Sequence, residues 1–283
     1  MDPVALTALM VAAARAREHE RPDRLFWDPY AAALAGKEGP RLLIDLDRAS
    51  GDTPSNSYLS IRVRFFDDLL LETVSSASIR QVVVLAAGMD TRAFRLPWPA
   101  GTEVYELDRP EMLARKDAIL QNIGAVARCI RHRLGVDLAY PWAQVLQDAG
   151  FNPCTPSIWL AEGLLQYLSD TAVHHVLNQT AQLAAPGSVL GANLISATFL
   201  IHPATQSFRE MFAELDAPWQ WGTDEPEAFL AQHGWRATII LPGEEGANFG
   251  RWPRPIIRDP DAPRLFLATA HRIQEIDEAA QSW

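Results

Sequence analysis

Gln81-Val82-Val83-Val84-Leu85-Ala86-Ala87-Gly88-Met89-Asp90-Thr91-Arg92 decides the fold. Its apolar run is too short for a helix and shows no polar alternation, which predicts a strand buried on both faces, as in a parallel sheet covered by helices. Further runs follow at the spacing of βαβ units: Glu103-Val104-Tyr105-Glu106-Leu107, a stretch near Cys129 to Val136, Ser157 to Ala161, and Ser188 to Leu194. Two late runs, Arg236 to Leu241 and Leu265 to Ala270, predict an antiparallel pair closing a seven-stranded sheet. The fold class is therefore α/β, a Rossmann-like sheet with helices on both faces.

Before Arg80 the pattern is helical. Leu6, Met10 and Ala13 share one face, Trp27-Asp28-Pro29-Tyr30 marks a turn into a second helix, and Tyr58 to Val74 is a third. Val4 to Ala14 has the length of a signal-peptide core. Asp2, however, stands where such peptides carry positive charge, so the stretch reads as a helix of the mature protein. No repeat or Gly/Ser linker divides the chain. We expect a single domain over 1–283: a helical cap over 1–78, a core over 79–197 and 230–283, and a lid over 198–229 rich in Phe, Trp and Pro.

Composition narrows the function. With 25 basic and 35 acidic side chains the net charge is −10, which argues against nucleic acid as a partner. No apolar run is long enough to span a bilayer, which argues against a membrane partner. The two cysteines, Cys129 and Cys154, lack metal-ligand spacing and cannot frame a small disulfide fold. They point to a reducing, cytoplasmic location and to no metal.

Ligands of open α/β sheets bind beyond the carboxyl ends of the strands, so the loop after the first strand comes first. Gly88 is the only glycine in that turn, and the G-x-G-x-x-G fingerprint of a pyrophosphate cradle is absent. About 20 residues on, the second strand ends in Glu106-Leu107-Asp108, where period two puts both carboxylates on one face within reach of ribose hydroxyls. A ligand with a ribose and no pyrophosphate fits; S-adenosyl-L-methionine is the common one. A nicotinamide-dependent oxidoreductase would need the missing third small residue.

Val84 to Leu96, followed by Val104-Tyr105-Glu106-Leu107-Asp108-Arg109-Pro110-Glu111, resembles the leucine carboxyl methyltransferase family and its bacterial S-adenosylmethionine-dependent O-methyltransferase branch. Trp27 to Ala31, Ser60 to Asp68, Gly135 to Leu138, Gly150-Phe151 and Trp159 to Leu168 carry the likeness across roughly residues 5 to 195. The resemblance implies a class I methyltransferase that uses S-adenosyl-L-methionine and releases S-adenosyl-L-homocysteine.

Carried over residue by residue, it assigns Arg62 to the methionine carboxylate, a bidentate match for a guanidinium. Ala86 and Gly88 would form the loop over the amino acid portion, and Asp108, with Glu106 beside it, would hold the ribose. Asp137 and Leu138 would flank the adenine, and Glu162 would lie next to the sulfonium. Arg15 corresponds to a basic residue of the first helix that also meets the carboxylate, with Arg17 as the competitor. The family loop commonly has glycine where this chain has Ala86.

The acceptor is less legible. The resemblance implies a small-molecule acceptor methylated on a carboxyl or hydroxyl oxygen, carboxyl favoured, in natural-product tailoring; a homodimer is left open. A carboxylate is already ionised and needs no base, whereas a hydroxyl usually does. Of the seven histidines, His202 in the lid is the catalytic candidate, and Arg209, Trp219 and Trp221 could meet an anionic or aromatic acceptor. Two alternatives stand beside this reading: a protein C-terminal carboxyl methyltransferase, and a non-catalytic cofactor-binding member of the same fold.

Overall fold

The computed structural model describes residues 3–51, 57–76 and 79–273. Four helices come first: α1 (Pro3–His19), α2 (Ala31–Ala35), α3 (Gly39–Ala49) and α4 (Ser57–Ser76). Helix α3 has no counterpart in the sequence reading. Gly36 in a left-handed conformation ends α2, and Pro40 in the first turn of α3 starts the next helix, so two short helices stand where the pattern reads as one.

The strands are β1 (Gln81–Leu85), β2 (Glu103–Asp108), β3 (Ile130–Gly135), β4 (Ser157–Ala161), β5 (Val189–Ile195), β6 (Trp235–Ile240) and β7 (Leu265–Arg272). Between them run α5 (Arg92–Arg95), α6 (Pro110–Asn122), α7 (Ala143–Asp148), α8 (Asp170–Leu183), α9 (Gln206–Glu214) and α10 (Pro226–Gln232). The sheet order is β3-β2-β1-β4-β5-β7-β6, with β7 antiparallel to both neighbours. The expected seven strands and closing antiparallel pair are both present.

Every residue of β1 is buried because alternate side chains enter different cores. Val82 and Val84 join a core with α1, α3 and α4, while Val83 and Leu85 join one with α7, α8 and α10. Burying such a side chain contributes about 1.5–3 kcal/mol, so the four together are a major anchor. Helix α4 lies close against β5 at Gly191, where a Cβ would come within 2.8 Å of Leu69. The chain order reverses between β1 and β4, which opens a crevice at their carboxyl ends.

Candidate functional site

A cavity of about 1020 Å³ fills that crevice. It lies at the top of the range of roughly 300–1,000 Å³ usual for one small ligand, which leaves room for a donor and an acceptor together. Its floor is the loop after β1. Ala86 (φ +52°) and Gly88 (φ +43°) both adopt left-handed backbone there. This conformation costs an L-residue about 1–2 kcal/mol and glycine nothing steric, the physical reason a glycine suits position 86.

Asp108 closes β2 beside this loop. One carboxylate oxygen accepts from the Gly88 amide at 2.6 Å and the other from Arg109 N at 2.7 Å. A carboxylate has about four acceptor positions, so two remain for a diol at the cavity wall. Burial pushes its pKa up, against the pull of the Gly88 and Arg109 amides. Val136, Asp137 and Leu138 line the cavity after β3, with the Leu138 side chain buried.

Glu106 differs from the expectation. It is not in the cavity wall: its carboxylate is bonded to Lys116 Nζ at 2.7 Å and Arg131 at 2.6 Å, and the residue is 1% exposed. Sharing a face with Asp108 is not enough, because α6 covers that face one step back from the strand end.

Arg62 and Arg15 both line the cavity. The Nε of Arg62 donates to Glu162 at 2.8 Å, and its guanidinium lies 5.7 Å from the Tyr58 ring centre. Arg15 donates to Asp28 at 2.9 Å and to the Met89 carbonyl at 2.5 Å, which ties α1 to the loop after β1. Its competitor Arg17 is paired with Asp47 of α3 at 2.6 Å and is absent from the cavity wall. Glu162 is gripped from both sides, by Arg62 and by Arg92 at 2.8 Å each. The Gly163 amide behind it donates to Asn193 of β5 at 2.7 Å.

Sequence reasoning missed the network behind these residues. Asp67 of α4 bridges Arg92 (2.7 Å) and Arg95 (2.5 Å), and Arg92 also meets Asp90 at 2.5 Å. Burial alone would raise Asp90, yet Arg92, Arg15, Lys116 and Arg95 overrule it and hold its carboxyl at about 2. The available signal was Asp67 in the third helix together with two arginines one helical turn apart after the first strand.

The rest of the wall comes from two segments. Phe199, Phe208, Phe212 and Trp219 belong to the expected lid. The second segment, between β6 and β7, was not anticipated and brings Trp252, Arg254 and Arg264. It is fastened to α1 and the turn after it by Arg251, bonded to Glu18 at 2.9 Å and Asp23 at 2.8 Å.

Three lid expectations are corrected. His202 is not in the wall: its Nδ1 accepts from the Ala204 amide at 3.1 Å and caps its own short turn. Arg209 points its Nε at Thr205 at 3.4 Å and Trp221 donates to Asp170 at 3.2 Å, both outside the wall. No histidine lines the cavity among the described residues.

The model of the family described as leucine carboxyl methyltransferase matches residues 8–181. A protein of Parafrankia sp. (strain EAN1pec), provisionally named an S-adenosyl-L-methionine-dependent methyltransferase, is 43% identical over 248 residues, 84% of this chain and 78% of that protein. One from Saccharopolyspora erythraea, named in the same provisional way, is 40% identical over 263 residues, 88% of each. Among solved structures, a DUF574 family protein from Streptomyces avermitilis superposes with a TM-score of 0.62 at 14% identity, covering 89% of this chain and 97% of its own. A provisionally named methyltransferase from Thermobifida fusca gives 0.54 at 18% identity, with 89% and 95% covered. At such identities the structural likeness speaks for the fold.

Proposed function

The chain belongs to the leucine carboxyl methyltransferase family, and from that premise we propose that it methylates a carboxylate oxygen of a small molecule, as a natural-product tailoring enzyme using S-adenosyl-L-methionine. The observation that carries the carboxylate reading is a wall whose charged side chains are arginines and carboxylates, with no histidine among the described residues. A carboxylate acceptor is ionised near neutral pH and asks for no proton acceptor.

The residues present fit the cofactor. Asp108 keeps acceptor positions for a ribose, Leu138 would offer an apolar surface to the adenine with Asp137 beside it, and Arg62 and Arg15 would hold the carboxylate. Glu162, held between Arg62 and Arg92, would lie beside the sulfonium and amino group. When bound, the cofactor would supply an electrophilic methyl group for the acceptor oxygen, with S-adenosyl-L-homocysteine as the leaving product. For such an in-line displacement the chain's contribution is alignment and exclusion of water. Residues of 198–229 and of the segment between β6 and β7 line the cavity, which supports a small acceptor over a protein terminus.

The test is transfer of radiolabelled methyl to a panel of carboxylic acids and phenols. The expected product is a base-labile ester that releases methanol; a base-stable ether would overturn the carboxyl reading. His202→Ala is expected to change the rate by less than about 2-fold, and the rate should be flat from about pH 6.5 to 9, since no proton moves in the step. A rising limb in that range, or a loss of about 100-fold in His202→Ala, would restore the hydroxyl acceptor and its base.

A further inference from the structure

Arg264 differs from the cavity arginines that hold a carboxylate closely. Arg15, Arg62, Arg92 and Arg95 each hold a carboxylate at 2.5–2.9 Å. The Arg264 guanidinium has, among the described residues, only contacts of 3.5 Å to Asp224, whose side chain is 40% exposed, and its Nε is buried without a partner. The guanidinium lies 5.2 Å from the Phe266 ring centre, which holds its plane in place. Arg264 lines the cavity, and its ion pair with Asp224 is longer and more exposed than those of the other four.

Its position in the sheet gives that charge a use. Arg264 exchanges backbone hydrogen bonds with Ser196, from Ser196 N to its carbonyl at 3.0 Å and from its own amide to Ser196 Oγ at 2.9 Å, so it sits at the carboxyl end of β5. Glu162 follows β4, the neighbour of β5. Two strand spacings across the sheet and a three-residue offset along it, together roughly 14 Å, therefore separate the backbones of Arg264 and Glu162. A transferring methyl group beside Glu162 and an acceptor anchored on Arg264 would meet across that gap. Phe199, Phe208 and Trp219 add an apolar wall, with ring centres 4.6–5.3 Å apart and Phe208 edge-on to the other two.

We propose that Arg264 is the anchor that selects the acceptor, gripping the carboxylate of a monoanion whose apolar body lies against Phe199, Phe208 and Trp219. This rests on the methyltransferase reading above and adds the recognition of the acceptor. A planar guanidinium suits a carboxylate better than an ammonium does. A neutral isostere would leave the guanidinium with only its long pair to Asp224.

The experiment is calorimetry on the full chain, first with S-adenosyl-L-homocysteine and then, on the loaded protein, with naphthalene-2-carboxylate and naphthalene-2-carboxamide. The carboxylate should bind at least 10-fold tighter than the amide. Arg264→Gln should remove that preference and leave the amide and S-adenosyl-L-homocysteine affinities unchanged. Arg264→Lys should recover part of it, and serves as the variant should Arg264→Gln not fold. Equal binding of the two probes to the parent, binding of neither, or a preference that survives the substitution would overturn the anchor while leaving the cofactor site standing. Failure of S-adenosyl-L-homocysteine to bind would instead bring down the methyltransferase reading itself.

Discussion

Asp67→Ala is expected to cost about 3 kcal/mol of stability, the lower end of what breaking a buried ion pair costs. Asp67 is 4% exposed and is the carboxylate that Arg92 and Arg95 share, so its removal leaves buried guanidinium charge undercompensated. Asp90 and Glu162 still meet Arg92, which keeps the loss from being larger. For a chain of this size that is a fall in Tm of roughly 5–10 °C, read by thermal unfolding. Asp45→Ala is the control. It removes an ion pair whose side chains are 76% and 53% exposed, and it should shift stability by no more than about 0.5 kcal/mol. Equal effects from the two substitutions would show that the network does not support the fold.

Arg62→Ala should weaken S-adenosyl-L-homocysteine binding by about 100-fold, because truncating one member of a buried charge pair costs about 2–5 kcal/mol. The loss has two sources. A ligand carboxylate loses its guanidinium, and Glu162 is left with Arg92 as its remaining close partner. Arg62→Lys restores the charge without the planar fork, so its affinity should lie between the two. An unchanged affinity in Arg62→Ala, with Tm also unchanged, would remove Arg62 from the ligand's surroundings.

The strands were legible because burial on both faces leaves a local mark. Val82 to Leu85 must all be apolar when alternate residues enter two cores, and the pattern is visible without knowing the partners. Asp108 was legible for a similar reason, since a carboxylate at the end of a strand next to a small-residue loop is a local signal. Glu106 looked equivalent, and only the packing of Lys116 and Arg131 against it shows that its charge is already consumed. Partnerships across long separations leave no such mark: Arg62 with Glu162, Arg15 with Met89 and Arg92 with Asp67 form only when four helices fold onto the sheet. The segment between β6 and β7 escaped notice because Trp252 and Arg264 sit in loop sequence with neither helical nor strand period. His202 reads in sequence as the lid histidine next to a proline, and that local context makes it a cap of its own turn instead.

The central claim is that the carboxyl ends of β1, β2 and β4 hold S-adenosyl-L-methionine, and one titration tests it most directly. The parent chain and Asp108→Ala are titrated with S-adenosyl-L-methionine and S-adenosyl-L-homocysteine by calorimetry, with folding of both checked by circular dichroism. The account predicts micromolar binding at one site per chain, weakened in Asp108→Ala by about 1–3 kcal/mol, the scale of hydrogen bonds to a charged group. A folded parent chain that binds neither ligand, or an Asp108→Ala variant that binds both as tightly as the parent, would contradict it.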